Sequence, residues 1–354
     1  MLENLGWNTL FQEKWNESKQ ENWVRGRIVT QSRDFSKVMT EQGEWLCTLP
    51  GSFTHHPTFE FPAVGDWVAV EQLPGEERGL IRHVLERQSE FVRHVAGLET
   101  KAQVIAANID YAFLVMSCNE DFNVRRLERY LIATWDSGAQ PIIVLTKSDL
   151  TDESGRMEME LKIDEVAYGV PVYFVSNETG ENIENLSKVV QPNYTAALLG
   201  SSGVGKSTLV NSLLKTDKMK TNTIREDDSK GKHTTTHREL ILLPDGGILV
   251  DTPGMREFQL WSKGESTGLS ESFTDVEALI TQCKFNDCQH ETEPGCAVKE
   301  ALEEGTLTQD RYDSYVKLQK ELAYVERKQD EKLMRAEKDK WKTISKTVKK
   351  MYKD

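Results

Sequence analysis

Residues 200–207 read Gly200-Ser201-Ser202-Gly203-Val204-Gly205-Lys206-Ser207, preceded by the apolar run Thr195–Leu199 and followed by Thr208–Leu214, which has helical character. The form is G-x-x-x-x-G-K-[ST], set between a strand and a helix as this motif requires. Its glycines let backbone N–H groups curl around phosphate oxygens at a helix N-terminus, where the peptide dipoles favour an anion. Lys206 supplies positive charge for the β- and γ-phosphates, and the Ser207 hydroxyl is a ligand for Mg2+. At ordinary glycine frequencies a chance match is on the order of one in a hundred for a chain of this size. The stretch therefore predicts a phosphate-binding loop inside an α/β domain.

The flanking sequence agrees. Tyr111–Ser117, Pro141–Leu145, Pro171–Val175 and Gly247–Val250 are further apolar strand runs. Val124–Asp136 has helical periodicity, with Leu127, Tyr130, Leu131 and Ala133 on one side. Strands alternating with helices predict a mostly parallel sheet covered on both faces. Ligands of such sheets bind at the carboxyl ends of the strands, and each loop considered next begins at one.

Asp251-Thr252-Pro253-Gly254 ends the Gly247–Val250 run. The Asp251 carboxylate is placed to hold Mg2+ through water. The Gly254 amide is placed to meet the γ-phosphate, in a loop that would reorganise when that phosphate leaves. Thr146-Lys147-Ser148-Asp149 follows the Pro141–Leu145 strand and resembles Asn-Lys-x-Asp. A carboxylate at Asp149 accepts from guanine N1–H and the 2-amino group. Adenine offers neither donor and would leave a buried charge unpaired. Lys147 is expected to lay its stem along the base. Thr146 replaces an amide that braces such loops, so looser nucleotide binding is expected. Ser176-Asn177-Glu178-Thr179-Gly180 follows the next strand and resembles the loop whose backbone contacts the guanine O6.

Both base-reading loops precede Gly200, whereas a phosphate-binding loop usually comes first. The order implies a circular permutation, which is tolerated when chain termini lie close together at the surface. It also places the Asp251–Gly254 loop shortly before the cysteine cluster described below, so movement there would pass directly to the C-terminal region. In Gly231-Lys232-His233-Thr234-Thr235-Thr236, Thr235 is predicted to complete the Mg2+ shell, with Thr234 as second choice. Thr221–Lys230 is polar and reads as a switch segment. Met255 follows Gly254 and cannot orient water, so His233 becomes the candidate for that task. Its alternative is a solvent-exposed loop histidine.

Cys283-x4-Cys288-x-His290-x5-Cys296 offers three thiolates and an imidazole, the donor set of a closed tetrahedral zinc site. Four protein ligands leave no open position, which makes one zinc structural rather than catalytic. An odd count of five cysteines argues against a disulfide framework.

Short runs at Arg25–Thr30, Glu44–Leu49, Trp67–Gln72 and Gly79–Val84, separated by turn-rich stretches, predict a small OB-fold-like β barrel. Trp7, Phe11 and Trp15, spaced by four, predict a short amphipathic helix before it. Glu271–Thr281 and Tyr312–Val348 read as helices, and residues 338–354 form a tail of seven Lys against two Asp. The expected division is 1–21 for the extension, 22–98 for the barrel, 99–264 for the permuted nucleotide-binding domain and 265–354 for the helical zinc-binding domain. A net charge of −13 confines any nucleic-acid contact to local patches. The absence of a long apolar run or a signal peptide predicts a cytoplasmic chain with no membrane contact.

Taken together, the barrel, the T-K-S-D, G-S-S-G-V-G-K-S and D-T-P-G order, G-K-H-T-T-T and the Cys/Cys/His/Cys cluster resemble the ribosome small-subunit-dependent GTPase A (RsgA) family over nearly the whole chain. The resemblance implies a monomeric GTPase acting late in small ribosomal subunit maturation, with GTP and GDP, the subunit and its rRNA as partners. It also implies that Lys206, Ser207, Thr235 and Asp251 serve phosphate and Mg2+, that Lys147 and Asp149 serve guanine, and that His233 is catalytic. Cys283, Cys288, His290 and Cys296 carry over as zinc ligands. The alternative is a nucleotide-gated RNA-binding module in which hydrolysis is incidental. A metabolic kinase is disfavoured by Asp149.

Overall fold

Short strands, three of them with alternating burial, close into a barrel at the N-terminal end. A computed structural model describes residues 2–32, 34–51, 61–94, 102–119, 121–216, 238–251 and 266–327. The chain divides into two compact units, Met1–Gln259 and Leu260–Asp354. In the first, β1 (Trp23–Gln31), β2 (Ser36–Thr40), β3 (Gly43–Thr48), β4 (Trp67–Gln72) and β5 (Arg78–Val84) pair in the order β1-β2-β3-β5-β4. A further β1–β4 pairing closes the ring, so no edge is left open. The expected small barrel is present, and it has a fifth strand, β2, that the apolar pattern did not reveal. Its residues Ser36 and Thr40 are buried but polar, which hides the alternation.

β6 (Glu90–His94) and β7 (Ala102–Ala107) form an antiparallel pair. Beyond them lie β8 (Tyr111–Ser117), β9 (Gln140–Thr146), β10 (Val172–Phe174), β11 (Thr195–Leu199), β12 (Arg238–Leu242) and β13 (Ile248–Asp251). Their sheet order is β10-β9-β8-β11-β13-β12, parallel except for β12. Successive β8 side chains enter different apolar clusters, as a period of two demands. Leu114 and Met116 join Leu127 and Leu131 of α2 (Val124–Ser137) and Ile163 of α3 (Glu153–Asp164). Phe113 and Val115 join Leu186 of α4 (Ile183–Val189) and Leu209 and Leu213 of α5 (Lys206–Leu214). Helices therefore cover both faces.

The two sheets are continuous. β1 pairs with β12 through Thr30↔Glu239 and Gln31↔Arg238, giving one eleven-stranded sheet. A second junction is the buried side chain of Arg27, 1% exposed. Its guanidinium donates to the Gly65 carbonyl at 3.1 Å, Thr195 Oγ1 at 3.0 Å, the Asn108 carbonyl at 3.0 Å and the Leu5 carbonyl. Burial lowers its pKa to about 10, opposed by the charges of Asp110 and Asp66. At α1 (Thr9–Ser18), the Asn8 side chain caps the first turn by accepting from the Phe11 amide at 3.1 Å. Phe11 and Trp15 then pack with Trp67 and Leu85 of the barrel, each contributing about 2 kcal/mol by burial.

The described regular elements of the second unit are helices, α6 (Thr267–Ser272), α7 (Thr274–Ile280), α8 (Ala297–Glu304) and one at 309–327, with residues 281–296 as turns and bends between α7 and α8. The single helix expected over Glu271–Thr281 is instead two, broken at Phe273, whose φ of −128° and ψ of 41° are not helical. The Phe273 ring is fully buried, and the Arg311 guanidinium lies 3.9 Å from its centroid while bonding Asp275 at 2.9 Å. The long helix expected over Tyr312–Val348 is observed as far as 327. Its remainder and the lysine-rich tail lie outside the described residues.

Replacing Arg27 with Ala would strip this donor from the Leu5 and Asn108 carbonyls, each loss costing about 1–3 kcal/mol, while the Gly65 carbonyl would keep the Asn108 side-chain amide. We expect Arg27→Ala to lose roughly 3 kcal/mol or more of unfolding free energy in urea titrations. Arg27→Lys should recover only part of it, because a point charge cannot span acceptors arranged for a planar fork.

Candidate nucleotide site and cysteine–histidine cluster

The parallel strands β10, β9, β8 and β11 end together, and the loops after β9, β10 and β11 meet. Thr146 pairs in register with Ser117 and Phe174 with Leu145, while Leu199 pairs with Leu114. The loops after β9, β10 and β11 are thus brought to one edge of the sheet. Gly200 begins the phosphate loop where the chain passes tightly over β8. A Cβ there would stand 2.3 Å from the Val115 carbonyl oxygen, so no side chain fits without backbone movement. Gly203 and Gly205 hold φ of 85° and 92°, which glycine adopts without steric cost. α5 starts at Lys206 with Gly205 as its N-cap. Its first amides face the loop, as an anion site requires. The Lys206 ammonium donates to the Gly200 carbonyl at 2.6 Å and to that of Ser201, holding it over the loop's own backbone.

The base-reading loop is tied to this loop. The Thr146 hydroxyl lies 2.5 Å from the Val204 carbonyl and 3.1 Å from that of Met116. Its single proton therefore has its shorter partner in the phosphate loop. The sequence-based expectation that Thr146 loses the brace is corrected: a hydroxyl makes it in place of an amide. Lys147 adopts φ 58° and ψ 40°, directing its ammonium to the Gly203 carbonyl at 3.2 Å. Asp149 Oδ1 accepts from the Ser176 hydroxyl at 2.5 Å, joining the two base-reading loops. Asn177 Oδ1 accepts from Ser212 of α5 at 2.8 Å. Ser148 donates to Glu181 at 2.6 Å.

The structure thus gathers Thr146, Lys147, Ser148, Asp149, Ser176, Asn177 and the stretch from Gly200 to Thr208 at one sheet edge. Asp251 ends β13, which neighbours β11. His233, Thr234, Thr235, Gly254 and Met255 lie outside the described residues.

Two supports escaped the sequence reading. Arg126, in the first turn of α2, donates to Ser201 Oγ at 2.7 Å while paired with Asp121 at 2.7 Å. Arg156 of α3 bonds Glu181 at 2.7 Å and the Ser148 carbonyl at 3.0 Å. Hydrogen bonds from Arg156 and then Ser148 hold the Glu181 carboxyl below its ordinary range. Both supports connect residues far apart in sequence, so no local pattern marks them.

In the second unit, Cys283, Cys288, His290 and Cys296 place their donor atoms within 4.8 Å of one another. Cys283 Sγ lies 3.9 Å from Cys296 Sγ, and His290 Nδ1 lies 3.6 Å and 3.4 Å from those two sulfurs. Zn–S and Zn–N bonds of about 2.3 and 2.0 Å predict tetrahedral edges near ~3.8 Å and ~3.5 Å. The edges among Cys283, His290 and Cys296 match both. Glu293 shapes the loop between His290 and Cys296. Its carboxylate accepts from the amides of Gln289, Glu291 and Thr292 at 2.9, 3.1 and 3.0 Å. These bonds, that of Gln289 foremost, pull its pKa to about 2.

The Thr146 brace generates a test. Thr146→Val keeps the side-chain volume and strands the Val204 carbonyl. GDP affinity in a fluorescent-nucleotide titration should fall about tenfold, the equivalent of one hydrogen bond. Thr146→Ser should stay near the native value.

The described geometry has counterparts among known proteins. Residues 84–261 match the family model described as RsgA GTPase, and residues 195–333 match one described as 50S ribosome-binding GTPase. A Listeria innocua protein named Small ribosomal subunit biogenesis GTPase RsgA 1 is 49% identical over 98% of this chain and 97% of its own length. Its namesake in Oceanobacillus iheyensis is 45% identical over 96% of this chain and 98% of its own length. The crystal structure of YjeQ from Thermotoga maritima is 29% identical, with a TM-score of 0.63 over 85% of this chain and 99% of that one. That of YloQ, described as a circularly permuted GTPase, is 27% identical, with a TM-score of 0.61 over 86% of this chain and 98% of that one. With the base-reading loops ahead of the phosphate loop and the likeness running nearly end to end, the chain belongs to the RsgA family of circularly permuted GTPases.

Proposed function

We propose that the protein hydrolyses GTP to GDP and phosphate while acting as a late maturation factor of the small ribosomal subunit. The observation that carries this reading is near-full-length likeness to proteins named for small-subunit biogenesis, at 49% identity. In this reading, Asp149, steadied by Ser176, pairs with guanine, and Lys147 flanks the base. Ser148, Thr146, Ser176 and Asn177 complete the base side. The Gly200–Thr208 segment wraps the phosphates, with Lys206 supplying charge. Ser207 and Thr235 ligate Mg2+, Asp251 reaches it through water, and Gly254 meets the γ-phosphate. Magnesium neutralises charge that develops between the β- and γ-phosphates, and His233 orients the attacking water. The Cys/Cys/His/Cys cluster holds one structural zinc. The protein works as a cytoplasmic monomer, in the fourfold division 1–21, 22–98, 99–264 and 265–354. The barrel and the zinc-binding region grip rRNA, and hydrolysis-driven movement at the Asp251–Gly254 loop passes to the C-terminal zinc-binding region.

The deciding measurement is GTP turnover with and without purified small subunits, at stated salt because phosphate contacts are salt-sensitive. Subunits should accelerate turnover, and His233→Ala should keep GTP binding while losing that acceleration. Slow turnover that subunits leave unchanged would instead favour a nucleotide-gated RNA-binding module.

Metal analysis of the purified chain should find one zinc, absent from Cys296→Ser. Glu293→Ala removes the carboxylate that braces the ligand loop. It should weaken zinc retention against a chelator by about 10–100-fold, the usual effect of outer-shell loss.

A further inference from the structure

α3 has one face that the GTPase chemistry does not use. Its inner side is anchored: Ile163 is buried, Met159 packs against the same core, and Arg156 is bonded to Glu181 and the Ser148 carbonyl. On the outer side, Met157 and Leu161 lie one turn apart and are 60% and 62% exposed. Leu150 precedes the helix at 63% exposed and Tyr168 follows it at 92%. These are four of the eleven large apolar side chains exposed among the described residues. Single exposed apolar residues are ordinary, but a concentrated stripe with a polar border marks a contact surface.

The border has one sign. Glu153, Glu158, Glu160, Asp164 and Glu165 are all exposed along the helix. Of its two cations, Arg156 is engaged with Glu181, and Lys162 pairs with Glu158 at 2.6 Å. Nucleic-acid phosphates would meet a row of carboxylates here, and so would the same face of a second copy of this chain. A protein segment offering Lys or Arg around apolar side chains meets complementary charge and covers the stripe.

We infer that the outer face of α3 docks a basic, amphipathic protein segment carried by the small ribosomal subunit. This rests on the ribosomal reading above. The surface adjoins the guanine loop, since Leu150 follows Asp149 directly and Arg156 ties the helix to Ser148.

The test measures affinity of the full chain for purified small subunits in the presence of a non-hydrolysable GTP analogue. Met157→Glu/Leu161→Glu should weaken binding by roughly tenfold or more. The triple variant Glu160→Lys/Asp164→Lys/Glu165→Lys should weaken it too, because a basic partner is then repelled. Tighter binding by the triple variant would reveal an RNA contact and overturn the proposal, as would unchanged affinity in both variants. All these side chains are exposed, and turnover without subunits within about twofold of native verifies folding. If either variant fails that check, the other decides alone, with unchanged or tighter binding counting against the proposal. Native protein that does not bind subunits removes the ribosomal reading and this inference together. Native binding with unaffected variants removes this inference only.

Discussion

The buried guanidinium of Arg27 is the constraint on which the first unit depends. A charge removed from water must find enough acceptors to offset its desolvation. Here those acceptors come from four places in the chain: the N-terminal turn at Leu5, the barrel loop at Gly65, the β7–β8 connection at Asn108, and Thr195 at the start of the phosphate-loop strand. None of these segments can move far without stranding either the cation or a carbonyl. The side chain therefore sets where the barrel stands relative to β11, and β11 delivers Gly200. The short β1–β12 pairing, with two residue pairs in register, gains rigidity from this second attachment.

Above that foundation, the nucleotide site is an assembly of loops with little freedom of their own. A parallel sheet ends β8, β9, β10 and β11 together, so the loops are neighbours by topology. Their relative positions are then set by single hydrogen bonds: Thr146 to Val204, Lys147 to Gly203, and Ser176 to Asp149. Arg126 and Arg156 act outside the loops, each joining a helix to a loop backbone or hydroxyl. Circular permutation leaves these contacts intact, because they depend on which strands are adjacent and not on the order in which the chain visits them.

The second unit solves a different problem. Apart from the helix at 309–327 its described helices are short, and Phe273, Val276, Val298 and Leu318 are among its buried apolar side chains. In a segment of this kind the Cys283, Cys288, His290 and Cys296 donors are positioned to add a metal-type crosslink between the two ends of one loop. The Glu293 carboxylate, satisfied by three amides, shapes the ligand loop through ordinary hydrogen bonds within the protein.

The sequence by itself determined the parts of this molecule whose physics is local. Glycines spaced as in a phosphate loop, an apolar run leading into Thr146–Asp149, and three cysteines with a histidine in one short stretch are each legible through spacing alone. β8 and β11 were legible to the residue because both faces of those strands are buried and apolar. Only the tertiary structure revealed β2, whose buried end residues are polar, and β12, which joins the two sheets by its edge. It also revealed the break at Phe273, where burying one ring and placing Arg311 over it prevailed over a continuous helical pattern. The ties made by Arg27, Arg126, Arg156 and Thr146 belong to the same class. Each joins residues far apart along the chain, and a hydrogen bond between such residues leaves no periodicity for a sequence to display.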